Sequence, residues 1–271
     1  NLGKECPETL LELVSLGTIT DVAPLIGENR TILSRGLQLI NTNPYPGLKA
    51  LINQTNITPG SLRAEDIAFY IGPRLNAAGR LDDASISYEL LVTDDHGEAS
   101  VLAEKLESYN TQRRQLTKDM MDDIQQVMVK SNHEDSLIFT AGQEYHPGIL
   151  GLAASRLVDQ YYRPAVVISQ KPDGTCRGSA RSIPEFNLIQ ALRQCGDLFI
   201  RVGGHPQAAG FDIATDNMDK LRNRLLNIAN EELSTVALTP HLMIDAQVPL
   251  GTVQGDTFAF VNSLSPFGSG N

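Results

Sequence analysis

Tryptophan is absent from the 271 residues, and phenylalanine and tyrosine contribute only 6% of them. Aromatic base-stacking platforms, a common way of holding single-stranded bases, are therefore not prominent. Cysteine is scarce too. Cys6, Cys176 and Cys195 are odd in number, far apart and without a CxxC pair. That pattern argues against a disulfide framework or a zinc knuckle and favours a reducing compartment, so the expected location is cytoplasmic. Apolar runs such as Ala165 to Ile168 are strand-length, far short of the roughly 20 residues that cross a membrane. The first residues carry neither a basic-then-apolar leader nor a Met, and the true start is expected upstream. Basic residues are outnumbered as well: 22 Lys and Arg against 32 Asp and Glu give a formal charge of −10. This argues against a broad electrostatic footprint on nucleic acid. Between Gly142 and Ile213, however, basic residues slightly outnumber acidic ones. A local anion site there stays open.

The chain is long enough for roughly two domains, and its hydrophobic fraction of 41% is that of a globular protein. Leu10 to Leu25 reads as an apolar helix or strand ending at Gly17, with Asp21 just past it. Asn29 to Ile40 and Gly47 to Ile52 have helical character. From Asp95 to Lys130, Leu102, Leu106, Tyr109, Leu116, Met120, Ile124 and Val127 recur mostly at steps of three and four. That spacing predicts one long amphipathic helix, the length of a strut between two domains. Asn132 to Asp135 breaks it. Beyond lie strands at Ser136–Thr140, Ala165–Ser169 and Arg177–Ser182, alternating with helices at Ile149–Tyr161, Leu188–Cys195 and Asp216–Leu233. Alternation of this kind predicts an α/β layer with a partly parallel sheet. Leu238 to Pro249 reads as the first strand of a third unit.

The chain's focus is Phe199 to Phe211, where Gly203-Gly204-His205 follows an apolar run. A paired glycine lets backbone come close to a bulky group, and successive N–H groups in a turn can form an anion-binding concavity beside a His. The competing reading is an ordinary tight turn. In Arg177-Gly178-Ser179-Ala180-Arg181-Ser182, strand alternation points Arg177, Ser179 and Arg181 the same way. Two guanidiniums and a hydroxyl make a donor-only surface suited to phosphate or carboxylate, although a solvated edge strand has similar residues. The helix opened by His146-Pro147-Gly148 has an N-terminus that could hold an anion. Asp21 could cap a helix or ligate a hard metal ion. Arg74, Asn76 and Arg80 lie among the small residues and breakers of Ile71 to Ala84, where the alternative is a helix corner with arginines in solvent.

Taken together, IGPRLNAAGRLDD (Ile71–Asp83), HPGILGLAASR (His146–Arg156), GSARS (Gly178–Ser182) and GGHPQAAG (Gly203–Gly210) strongly resemble the RecJ exonucleases of the DHH phosphoesterase superfamily. LGTITDVAPL (Leu16–Leu25) and PFGSGN (Pro266–Asn271) are similar to the same family, in the same order. The resemblance implies a small DHH-associated α/β domain with a mixed sheet at 132–235, joined through connecting helices at 61–131 to the end of a DHH domain at 1–60. An OB-type β domain would begin at 236–271. It implies a 5′–3′ single-stranded-DNA exonuclease of DNA repair and recombination, hydrolysing phosphodiesters with Mn²⁺ or Mg²⁺. Asp21 would be a catalytic metal ligand. Arg80, Arg156, Ser179, Arg181 and His205, with Gly203 and Gly204, would contact DNA phosphate, as would Arg74 and Asn76 unless these two hold a domain junction. Single-stranded DNA is the implied partner, with a single-strand-binding protein or a helicase as further candidates and no membrane.

The sequence departs from the family where the metal chemistry should be. The Asp-x-Asp and Asp-His-His segments that should precede Asp21 are missing, and His96, His133, His146, His205 and His241 include no adjacent pair. A two-ion clamp needs several carboxylates and imidazoles, so the chain is expected to bind DNA phosphate but to be inactive alone. The alternatives are a DHH-type oligoribonuclease or nucleotide phosphatase, and a non-catalytic RecJ-like replication scaffold.

Overall fold

The computed structural model describes residues 7–129 and 135–271. Cys6, His133 and most of the expected break after the long helix lie outside the described residues. The chain divides into two compact units. One comprises the residues up to Thr111 together with Ile244–Asn271, and the other Gln112–Met243. The division thus falls inside the long helix rather than after it, and the last residues belong with the first unit.

Among its described residues the first unit is helical. It contains α1 (Leu11–Thr20), α2 (Gly27–Thr42), α3 (Pro46–Asn53), α4 (Ala64–Asp66), α5 (Gly72–Leu81), α6 (Ser85–Val92) and the start of α7 (His96–Val129). Pro46 opens α3, where its missing N–H costs no helical hydrogen bond. Leu33, Gly36 and Ile40 form the buried stripe of α2, at the spacing an amphipathic helix requires. Leu16, Leu48, Leu51, Ile67, Ile71, Leu90 and Leu106 join them in a core from which water is almost excluded. Helix α1 runs through Gly17 to Thr20, longer than the sequence indicates. The chain's end packs back on this unit: the Leu25 N–H donates to the Ser269 carbonyl at 2.7 Å, and Arg30 donates to the Leu264 carbonyl.

Helix α7 has 34 residues. Its buried stripe is Ala99, Ala103, Leu106, Asn110, Thr117, Met120, Ile124 and Met128. The gap in the apolar pattern near Arg113 is thus bridged by two buried polar residues, with the Thr117 hydroxyl donating to the Arg113 carbonyl at 2.7 Å. Val127 is instead half exposed.

The second unit is built on β1 (Ile138–Gln143), β2 (Ala165–Gln170), β3 (Thr175–Arg181), β4 (Phe199–His205) and β5 (Ala208–Ala214). Their order in the sheet is β1-β2-β3-β5-β4. The first pair is parallel, crossed over by α8 (Pro147–Tyr161), and the other pairs are antiparallel. Side chains alternate along β3: Cys176, Gly178 and Ala180 are buried, whereas Thr175, Ser179 and Arg181 are partly open and Arg177 is exposed. The buried face meets α9 (Leu188–Gln194) and α10 (Met218–Leu233) in a core that includes Phe186, Leu192, Phe211, Ile213, Leu221 and Leu225. Helix α8 lies on the opposite face, against β2 and β3.

Two expectations are corrected. Leu238 to Pro249 forms no strand and is largely exposed. Its apolar residues look β-like, but a strand needs a hydrogen-bonding neighbour and these residues have none here; a short helix, α11 (Gly255–Asn262), follows. The Gly203-Gly204 pair lies inside β4, in register with Gly210 and Ala209, and the hairpin turns at Pro206-Gln207. In an extended strand successive N–H groups point to opposite sides, so the paired glycines belong to the β4–β5 ladder and do not form an N–H concavity.

Gly178 lies directly beneath Phe211, where an added Cβ would stand 2.1 Å from the ring. Gly178→Ala is therefore expected to cost about 1–3 kcal/mol through overpacking. Urea unfolding followed by circular dichroism measures it, and an unchanged midpoint would contradict the contact.

Candidate functional site

In antiparallel pairing, residues directly opposite one another point to the same face. The register therefore assembles the open face of β3, β5 and β4 in rungs. Arg181, Ala208 and His205 form one rung; Ser179, Gly210 and Gly203 the next; Arg177, Asp212 and Arg201 the third. Two strand spacings, about 10 Å, separate β3 from β4. Over the small Ala208, an Arg from one side and a His from the other can close on one oxyanion. Arg181 Nη1 donates to Ser179 Oγ at 3.3 Å and to the Ala180 carbonyl at 2.9 Å. This fixes the guanidinium beside the hydroxyl. Gly151 of α8 allows the helix down onto the pair: a Cβ there would lie 2.7 Å from Arg181 Nη2 and 3.2 Å from Ser179 Oγ.

Ser179, Arg181 and His205 thus share one face. Arg156 is exposed on α8, about 140° round the helix from Gly151 at 100° per residue. It occupies a different flank of α8 from the one that meets Arg181. The donor-only surface expected from Arg177, Ser179 and Arg181 is not realised either, because Asp212 lies opposite Arg177, with 4.0 Å between Arg177 Nε and Asp212 Oδ1. Gly204 serves the fold: its φ is +153°, and a Cβ would fall 2.4 Å from the Ala208 carbonyl oxygen. The sequence reading missed Arg201, although it stands two residues before Gly203 and four before His205, on the same strand face.

At the start of α8, the Gly148 N–H donates to His146 Nδ1 at 3.2 Å. The helix terminus thus receives its own cap from the HPG motif. The preceding loop is held to α7 by Tyr145, whose hydroxyl donates to Asp123. Burial first, and this carboxylate second, push the Tyr145 phenol well above its ordinary range. Glu144 adopts φ +51°, an uncommon conformation for a residue with a side chain.

In the first unit, Asp21, Asn76 and Arg80 line one cavity of about 490 Å³, together with Thr20, Leu75, Gly79 and Ala84. Asp21 closes the C-terminus of α1, where the helix dipole disfavours a carboxylate. The next residue, Val22, has φ +56°, a costly conformation for a β-branched side chain. Gly72 lets α5 approach: a Cβ there would lie 2.6 Å from Thr20 Cγ2. Burial pushes the Arg80 guanidinium below its ordinary value.

Arg74 is turned inward instead. It is 9% exposed and pairs with Glu107. Its Nη1 donates to the Tyr70 carbonyl at 2.8 Å and its Nη2 to that of Gln54 at 3.4 Å. Tyr70 belongs to the π-turn Ile67–Ile71 that links α4 to α5. Pro73 lacks the N–H a regular helix would use there. Arg74 therefore ties α5 to α7 within this unit and does not offer its guanidinium to phosphate.

The described residues do not make a divalent-cation site by themselves. Asp21 shares its cavity with a guanidinium, and no group of three His, Cys, Asp or Glu able to hold a metal occurs among the described residues. No helix among the described residues is long and apolar enough to cross a membrane.

Residues 134–231 match the DHHA1 domain family. The chain is 36% identical, over 97% of its length, to the single-stranded-DNA-specific exonuclease RecJ of Bacillus subtilis, and it spans 34% of that relative. The crystal structure of RecJ in complex with Mg²⁺ from Thermus thermophilus superposes over 100% of this chain and 42% of that one, with TM-score 0.86 and 32% identity. The corresponding structure with Mn²⁺ gives TM-score 0.85 over 40% of its chain.

The inward role of Arg74 has a measurable consequence. Arg74→Ala is expected to destabilise the protein by about 2–3 kcal/mol, the worth of charge-assisted hydrogen bonds left unmade. Asn76→Ala, at an exposed position, should stay within about 0.5 kcal/mol. Chemical denaturation of both variants checks this, and equal stability of the two would contradict it.

Proposed function

We propose, for a chain that belongs to the RecJ family and carries its DHHA1 domain, that it forms the phosphate-gripping part of a 5′–3′ single-stranded-DNA exonuclease. Such an enzyme works in the cytoplasm in DNA repair and recombination. The observation that carries this reading is the placement of Ser179, Arg181 and His205 on one open sheet face, with α8 pressed against the first two.

The chemistry follows from the groups present. The guanidinium donates to non-bridging phosphate oxygens, and its planar fork favours two such bonds at once. The Ser179 hydroxyl adds a neutral donor. His205, at the strand's tip, adds an imidazole N–H that becomes cationic when protonated. Fixed in place before substrate arrives, these donors orient the phosphate and stabilise charge that develops on it. Asp21, Asn76 and Arg80 form a second polar cavity, in which Arg80 offers a partly desolvated cation and Asp21 a carboxylate for a metal. The relatives' solved structures contain Mg²⁺ or Mn²⁺, and the other ligands would come from parts of the protein outside this chain. Single-strand-binding protein and a helicase are the partners such an exonuclease would meet.

Incubated with single-stranded DNA and Mn²⁺ or Mg²⁺, the purified chain is expected to release no nucleotides; robust digestion would refute the division of labour. In direct binding to an oligothymidylate, Arg181→Ala should cost roughly 1.5–3 kcal/mol. It should also shallow the salt dependence by about 0.7 in log–log slope, one single-strand contact. Unchanged affinity and slope in a variant of native melting temperature would remove Arg181 from the site.

A further inference from the structure

The third rung of the open face has no place in the grip just described. Arg201 is exposed on β4, and its register with Asp212 sets it on the face that carries His205. Val202, between Arg201 and Gly203, packs into the core on the other side, which fixes that direction. Same-face residues two apart along a strand lie about 7 Å from one another. The Arg201 rung is therefore two such steps, about 14 Å at the backbone, from the His205 rung. A long arginine leaning along the strand shortens that gap toward the separation of neighbouring phosphates in an extended single strand.

The surface between the two cationic rungs is bare. A Cβ on Gly203 would meet nothing within 4 Å, and one on Gly210 only the Gly178 carbonyl oxygen, at 3.7 Å. Neither glycine has positive φ. Packing and backbone geometry thus leave both positions free to carry a side chain, and glycine there keeps the floor low enough for something to lie on it. The third rung holds two arginines and one carboxylate. Arg177 faces Asp212, so Arg201 is the rung's outward cation.

We propose that Arg201 is a second phosphate-binding residue, holding a neighbouring phosphate of the strand whose first phosphate is gripped by Arg181 and His205, with the connecting sugar crossing Gly210 and Gly203. This rests on the phosphate reading of the first rung. Asp212 tempers the second contact by setting a negative charge beside it.

The test uses the whole chain and two probes, the mononucleotide pdT and the dinucleotide pdTpdT, followed by calorimetry at low salt. Arg201→Gln is expected to weaken pdTpdT roughly fivefold, the upper end for one exposed ion pair, and to leave pdT unchanged. Asp212→Asn is expected to tighten pdTpdT by a few-fold, a gain that misfolding cannot imitate. Equal pdTpdT affinity in wild type and Arg201→Gln would overturn the proposal. So would an equal loss for both probes, which would make Arg201 part of the first contact. Arg181→Gln separates the two ideas: if it leaves both probes untouched, the phosphate reading of the first rung fails, whatever Arg201 does.

Discussion

The antiparallel register of β3 on β5 and of β5 on β4 is the constraint on which the candidate site depends. Gly178 opposes Phe211, and the ring fills the space a Cβ would need. Phe211 in turn meets Phe199 with ring centroids 5.1 Å apart and planes inclined at 54°, a favourable tilted arrangement. A slip of one residue between β3 and β5 would turn either Phe211 to solvent or Arg181 into the core. The aromatic packing on the buried face thereby decides which groups appear on the open one. No residue of the open face has to specify its own position. The core specifies it from behind.

The first unit shows the opposite economy, with local disfavour tolerated at a site. A carboxylate at a helix C-terminus and a valine at φ +56° directly after it would each be replaced easily if fold alone mattered. Both occur where α1 approaches α5 closely enough that Thr20 and Gly72 leave no room for a Cβ. The core of Leu16, Ile67 and Ile71 beneath over-determines this junction and absorbs the cost. Strain held in place by surrounding packing, beside a polar cavity, is the pattern expected where position matters more than stability.

Much of this was legible in the sequence, and the rest was hidden for identifiable reasons. Period-two alternation revealed that Ser179 and Arg181 share a face, and spacings of three and four revealed α7. The hairpin turn was hidden because Pro206-Gln207 lacks the Asn-Gly or Asp-Gly pair that usually marks one, so the glycines before it drew the turn to themselves. The partners of Arg74 were hidden because Glu107 lies 33 residues away. Asp212 escaped notice for a similar reason: only the strand order β3-β5-β4 brings it across from Arg177. Leu238 to Pro249 misled because β-like composition says nothing about whether a neighbouring strand exists to pair with it. Local chemistry could be read directly, whereas pairings across the fold could be read only through motifs whose joint occurrence implied them.

The glycines of the GGH region show where structural explanation stops and functional explanation begins. Gly204 needs no ligand to account for it, since its backbone conformation and the nearness of Ala208 and Ala209 already forbid a side chain. Gly178 is likewise explained by Phe211. Gly203 and Gly210 are not explained in this way, because the fold would accept alanine at either. In a strand interior glycine gives up entropy and packing, so a fold that does not require it should not retain it at two adjoining positions without a reason outside the fold. Both positions lie on the face that carries Arg181, His205 and Arg201, with Ser179 completing their rung. A molecule that is anionic, and thin enough to lie against exposed backbone, answers to the cations and to the missing side chains at once. On the phosphate reading proposed above, an extended single strand is such a molecule.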